Sequence, residues 1–275
     1  MQPDAPFSKA EIAGGTGATG ATDAQEPPPF HIHGESRGTR WLITCDHATA
    51  RVPAALNGGD LGVPAVDMRR HIAYDIGARG VALALADRLG AAALCANFSR
   101  LVIDPNRAED DPTLIMRLSD GTLIPANKTL DAAAERQRKS AYYHPYHRAL
   151  ARLAAARRDC ILVAIHSFTP RMRHGSLRPW HVGILHAGAQ DPRNFGLPLI
   201  AQLRAKGDVT VGDNVPYRGS QPGDGSSLDR HGLQAGRPHT IIELRQDLIT
   251  DRQGQHAWAA RLAHALEATL AQTGF

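Results

Sequence analysis

The chain has 275 residues, enough to bury one large core, and its three cysteines, at 45, 95 and 160, have neither the count nor the spacing of a disulfide framework or a Cys-x-x-Cys metal clip. The net charge of +4 comes from scattered arginines with only short clusters, Arg157-Arg158 and Arg171-Met172-Arg173, so nothing points to a nucleic-acid partner. No apolar stretch approaches the roughly 20 residues of a membrane helix, no secretory signal opens the chain, and thiols set beside apolar runs read as the reduced core cysteines of a cytoplasmic protein.

Residues 1–38 combine a Gly/Thr/Ala tract, GGTGATGATD, with Glu26-Pro27-Pro28-Pro29. Little of this can be buried to offset the entropy of ordering, so a flexible tail is expected there, with one folded domain over 39–275. His31 and His33 stand as His-x-His in that tail and are read as exposed or docking residues.

Trp41 to Cys45, with β-branched Ile43 and Thr44, reads as a buried strand that stops at Asp46-His47. In open α/β sheets ligands gather beyond the carboxyl ends of strands, where loops converge over a rigid frame, so an acid and an imidazole at such an end suit a site. Arg69 to Leu89 carries Ile72, Ile76, Val81, Leu85 and Leu89 at helical spacing, interrupted by Gly77 and Gly80; a helix there puts His71 and Asp75 on one face, either as a solvated pair or as part of a site. Ala91 to Cys95 is a small-residue strand, and Leu101 to Ile103 is expected to be another, running into Asp104-Pro105-Asn106-Arg107. Proline constrains that turn, and a fixed guanidinium beside a fixed amide matches the two oxygens of a carboxylate.

Leu130 to Arg158 is expected to be helical on either side of His144-Pro145, with Tyr142, Tyr143, His144, Tyr146 and His147 as packing residues. Cys160 to Ile165 is a buried strand delivering His166. Trp180 to Leu185 and Val209 to Val211 read as strands around a helix at Phe195 to Leu203. The polar stretch Asp213 to Pro238 is a candidate lid with Tyr217, Arg218 and His231 as contacts. His239 to Leu244 is the last strand and carries Glu243; Gln255 to Ala271 closes the chain as a helix.

Three strand ends thus carry His47, His166 and Glu243. If the two histidines bind one metal, zinc suits their nitrogens, and catalytic zinc has three protein ligands and an open position. The third ligand is then a carboxylate: Asp75 is preferred, and Asp46 is the alternative, since strand alternation sends it away from His47 unless the backbone bends. Glu243 is the natural general base, taking a proton from water and passing it to a leaving amine. Arg100 or Arg107 would hold a substrate carboxylate or polarise a carbonyl, and the set describes amide hydrolysis. The competing readings are a surface ion-pair row of Glu243, Arg245 and Asp247, and a metal-free protein that binds acidic, amino-acid-like ligands through Arg100, Arg107 and Arg245.

Taken together, the motifs resemble the N-formylglutamate amidohydrolase family. Cys45-Asp46-His47-Ala48 with Val52-Pro53, His71-x-x-x-Asp75-Ile76-Gly77-Ala78, Ser99-Arg100-Leu101-Val102-Ile103-Asp104-x-Asn106-Arg107, His166-Ser167-Phe168-Thr169-Pro170, Asn214-x-Pro216-Tyr217 and Glu243-x-Arg245-x-Asp247-Leu248-Ile249 stand in the family's order, from about residue 40 to 272. The resemblance implies a zinc-exopeptidase-like, three-layer α/β fold, a mixed and mostly parallel sheet flanked by helices, and kinship with carboxypeptidase and aspartoacylase hydrolases. By that pattern His47 and His166 bind the metal, Asn106 and Arg107 take the substrate's carboxylate, and Glu243 is the base; Arg100, Tyr217 and Arg245 are the further substrate-binding candidates. Those relatives have His-x-x-Glu, whereas His47 is followed by Ala48, Thr49 and Ala50, so the remaining ligand comes from elsewhere and is assigned to Asp75. The implied reaction is zinc-dependent release of formate from N-formylglutamate or a related small N-acyl amino acid.

Overall fold

The computed structural model describes residues 26–172, 175–219 and 222–275. Residues 1–25 of the expected tail, His174 and positions 220–221 of the polar loop lie outside the described residues. In chain order the elements are Phe30–His33 (β1), Trp41–Cys45 (β2), Ala78–Arg88 (α1), Ala92–Ala96 (β3), a small hairpin of Leu118–Ser119 (β4) and Thr122–Leu123 (β5), Pro125–Lys128 (α2), Ala132–Arg138 (α3), His144–Ala155 (α4), Ile161–Phe168 (β6), Val182–Leu185 (β7), Gly196–Arg204 (α5), Val211–Asp213 (β8), His239–Arg245 (β9) and Arg252–Thr273 (α6).

Seven strands form one mixed sheet in the order β1-β3-β2-β6-β9-β7-β8. β3, β2, β6 and β9 run parallel at its centre, while β1 pairs antiparallel with β3 and β7 antiparallel with β9. The central strands are buried on both faces, which is why they read as continuous apolar runs rather than as alternating patterns. Ile43, Val163 and Ile242 face a core shared with α1, α5 and α6, whose Val81, Leu199 and Leu262 are buried there. Leu42, Leu162 and Ile241 face a second core with Tyr146, Leu150 and Leu153 of α4. The result is the expected three-layer α/β arrangement. Among the described residues no helix is long and apolar enough to cross a membrane.

Four expectations are corrected. Residues 30–33 belong to the sheet rather than to a tail, because β1 pairs with β3 from Phe30↔Ala96 to His33↔Ala93. The helix expected from Arg69 starts only at Ala78: Gly77 has φ +79°, and a Cβ on it would lie 2.1 Å from the Ile249 carbonyl oxygen, so the segment before it turns and His71 and Asp75 share no helical face. Leu101 to Ile103 are fully buried yet pair with no strand; the Val102 amide donates to Ser99 O within a turn. The helical stretch runs on through His144-Pro145 without a break, since the widened turn Lys139–Tyr143 leads directly into α4, and it is at such a widening that a helix accommodates a proline's ring and missing N–H.

Candidate active site

β6 and β9 are in register from Leu162↔His239 to Phe168↔Arg245, which sets His166 directly beside Glu243. Both lie inside their strands rather than beyond them, and strand alternation turns both toward the α4 layer. β2 ends at Cys45 and the chain bends at Asp46-His47, so these consecutive residues both reach the same centre. Asp75 arrives from the turn before α1, held by its amide on His47 O at 2.9 Å and by its carbonyl, which accepts Ala78 N at 3.2 Å.

The contacts are specific. Asp75 Oδ2 lies 2.8 Å from His166 Nδ1 and 3.3 Å from His47 Nδ1, and accepts the Ser167 amide at 3.3 Å. The outer nitrogen of each imidazole faces another carboxylate: His47 Nε2 is 2.7 Å from Asp104 Oδ1, and His166 Nε2 is 3.7 Å from Asp46 Oδ2. Tyr146 donates its hydroxyl to the second oxygen of Asp46. His47 thus has its outer nitrogen held by a carboxylate and its inner one turned to Asp75, the arrangement by which proteins fix an imidazole beside a cation; His166 turns its inner nitrogen to Asp75, while its outer one has Asp46 nearby but no hydrogen bond among the described residues.

Among the described residues, His47, Asp75 and His166 are the group able to hold a metal ion, with ligand atoms all within 4.8 Å of one another. The electrostatics suit a cation. Asp46, Asp75, Asp104 and Glu243 are all buried here. Burial opposes the charge on Asp75, but the two imidazoles outweigh it and hold its pKa below the usual carboxylate range. Burial likewise opposes a charge on His166, yet Asp46 and Asp75 raise its pKa well above that of a free imidazole. For Glu243 the balance goes the other way: burial, with Asp75 adding to it, outweighs the nearby His166, His47 and Arg100 and pushes it up to about 7, and its Oε2 is buried without a hydrogen-bond partner among the described residues.

His47, Asp75, His166 and Glu243 line a cavity of about 290 Å³ together with Arg100, Asn106, Arg107, Tyr217 and Arg218. Arg100 donates to Asp104 Oδ2 at 2.8 Å and stands 3.6 Å from Asp75 Oδ1. Arg107 lies 3.6 Å from Asp104 and 3.3 Å from Asp111. Asn106 accepts the Ser227 amide on Oδ1 at 3.2 Å, and its NH2 donors make no hydrogen bond among the described residues. Tyr217 is 42% exposed and receives Arg178 on its hydroxyl at 3.3 Å.

Three candidates fall elsewhere. Arg245 does not line the cavity; it holds Asp247 at 2.8 and 3.2 Å instead. His231 is buried, 3.0 Å from His147 Nδ1, and is no lid contact. Asp46 lies behind His166 rather than in the converging donor group. Sequence reasoning passed over Asp104 and Tyr146. Asp104 ends a buried apolar run as Asp46 does, which was the available signal; Tyr146 carried none, because only the fold brings α4 against the end of β2.

The sequence profile of the N-formylglutamate amidohydrolase family matches residues 39–250. The N-formylglutamate deformylase of Pseudomonas aeruginosa is 30% identical over 260 residues, which cover 88% of this chain and 90% of that protein. A crystal structure of a gene product of Agrobacterium tumefaciens is 33% identical, with a TM-score of 0.81 over 90% of this chain and 97% of that one. The crystal structure of N-formylglutamate amidohydrolase from Ralstonia eutropha shares the fold at 22% identity, with a TM-score of 0.58 over 90% of this chain and 99% of that one.

Proposed function

The chain belongs to the N-formylglutamate amidohydrolase family, and on that premise we propose that it is a zinc-dependent amidohydrolase that cleaves N-formylglutamate, or a closely related N-acyl amino acid, into the acid and the free amino acid. The observation that carries the reading is the convergence of His47, Asp75 and His166, with Glu243 one strand away. The three would hold a divalent cation, zinc by the chemistry of the donor set, which when bound supplies a Lewis acid for the scissile carbonyl and for the attacking water.

The chain's own residues do the rest. Glu243 takes a proton from the attacking water and delivers it to the amide nitrogen as the C–N bond breaks, so that formate and an amine leave; a carboxyl poised near 7 can do both. The Asn106 amide and the Arg107 guanidinium receive the substrate's carboxylate at the cavity wall, and Tyr217 closes its mouth. Arg100, bound to Asp104, is a guanidinium already partly neutralised, suited to a substrate oxygen rather than to a second full anion. Asp104 serves as the orienter of the His47 imidazole and Asp46 as a buried countercharge beside His166, neither as a ligand.

The test is metal content of the purified protein measured beside formate release from N-formylglutamate. His166→Ala is expected to lose bound zinc and turnover together. Glu243→Gln is expected to keep zinc and lose about 10²–10⁴-fold in kcat, the usual share of a positioned general base. Full activity in Glu243→Gln would remove the base from this scheme.

A further inference from the structure

A second cavity, of about 370 Å³, adjoins the first: His71 and Thr169 line both. None of Arg100, Asn106, Arg107 and Glu243 lines it. Its walls carry Arg69, Arg70 and Arg171 against one carboxylate, Asp120, and that carboxylate is held by Arg70 at 2.5 Å. Arg69 and Arg171 are exposed, and neither makes an ion pair among the described residues. Gln246 also lines the cavity, and its Oε1 is buried without a partner among the described residues; a primary amide can turn either edge toward an occupant. His71 does not supply the positive charge, because burial and the nearby guanidiniums lower its pKa. The annex is therefore a polar, net-basic recess that shares His71 and Thr169 with the first cavity and carries two guanidiniums without an ion pair among the described residues.

We infer that this annex is a substrate subsite, and that the enzyme takes N-acyl amino acids bearing one further carboxylate beyond those of N-formylglutamate, seated on Arg69 and Arg171. The inference rests on the amidohydrolase reading above. Two positions on a substrate could carry the extra carboxylate, the acyl group or an extension beyond the α-carboxyl, and the annex chemistry is the same for both. In either case the carboxylate exchanges water for guanidinium donors whose planar fork matches its two oxygens.

Steady-state kinetics of the zinc-loaded wild type and of an Arg69→Ala/Arg171→Ala double variant test it, with N-formylglutamate, N-succinylglutamate and N-formyl-glutamyl-glutamate as substrates. Both arginines are exposed, so the variant is expected to fold, and thermal melting checks this. The inference predicts that at least one extended substrate has a lower KM than N-formylglutamate. For that substrate the double variant should raise KM about tenfold at nearly constant kcat, while N-formylglutamate stays within about twofold. Whichever extended compound responds identifies the side on which the carboxylate lies. If the wild type turns over N-formylglutamate but neither extended compound gains from the arginines, the subsite is overturned and the amidohydrolase reading stands. If no compound is hydrolysed even with zinc supplied, the reading fails and the inference falls with it.

Discussion

Asp104 joins two tasks in one side chain. Its Oδ1 meets His47 Nε2 at 2.7 Å and the Asn106 amide at 2.9 Å, and its Oδ2 takes Arg100 at 2.8 Å. The His47 imidazole and the Asn106-Arg107 turn, proposed above as metal ligand and carboxylate clamp, are thus set by the same buried anion. Asp104→Asn keeps the shape but puts an N–H2 group where an acceptor is needed. It is expected to weaken zinc about 10–100-fold, the usual cost of losing an outer carboxylate, and to raise KM in parallel; competition against a chelating dye reads the first, initial rates the second. Unchanged zinc affinity with a raised KM would confine Asp104 to shaping the turn. Tyr146→Phe probes the other imidazole, since Asp46 then loses its hydroxyl donor while keeping its charge. There the expected change is a loss of about 1.5–3 kcal/mol in stability, the usual range for a buried hydrogen bond to a charged group, with zinc still bound.

At the scale of elements, two junctions decide whether these residues meet. Gly77 lets the chain turn from Asp75 into α1 at φ +79° under the Ile249 carbonyl. Gly77→Ala combines a left-handed backbone with a clash against main chain, so a loss of at least about 2 kcal/mol is expected in urea titration; a variant as stable as wild type would mean that the α1–Ile249 contact yields easily. The other junction is the stacked pair of His147 on α4 and His231 in the turn Asp229–Leu233, rings 5.2 Å apart at 16°. Burial, the facing imidazole and Arg230 depress His147 to about 3, and burial with Arg230 depresses His231 to about 4, with Asp46 opposing in both. Both imidazoles are therefore neutral in the folded protein below the pH at which they charge in the unfolded chain. The unfolded state binds more protons in that window, so stability is complete above pH 6.5 and falls as pH drops toward 4, at up to about 1.4 kcal/mol per pH unit for each histidine. Urea titrations at pH 7, 6 and 5 on wild type and His231→Gln isolate the pair, and the variant is expected to show the shallower slope; equal slopes would place the acid sensitivity elsewhere.

Across the whole molecule, the legible features were those written in one stretch of sequence. The apolar runs at Trp41, Ile161 and His239 announced parallel strands, and their ends announced His47, His166 and Glu243, because buried strands are continuous in composition and sites gather where they stop. What stayed hidden depends on contacts between distant segments: Tyr146 against Asp46, 100 positions apart, and Arg245 drawn off to Asp247 although its strand bears Glu243. The amino-terminal boundary was hidden for the same reason, since a four-residue edge strand has too little pattern to stand out beside a proline run. Its attachment is nonetheless substantial. Besides the β3 pairing, Asn97 binds Pro28 O and Pro29 O at 2.9 Å each, and Glu26 takes the Arg51 guanidinium and the Ala54 amide. Arg51 in turn offers its carbonyl to the Ser99 amide at 2.7 Å, in the segment that leads to Arg100 and Asp104. Removing residues 1–38 strips β1 from β3 and bares an unpaired sheet edge, which invites pairing with another chain. That truncation is expected to melt several degrees below one that starts at Glu26 and to aggregate on heating, which thermal melting followed by light scattering would show. Equal melting temperatures for the two truncations would mean that β1 decorates the sheet without supporting it, and that the domain begins where the family profile does, at residue 39.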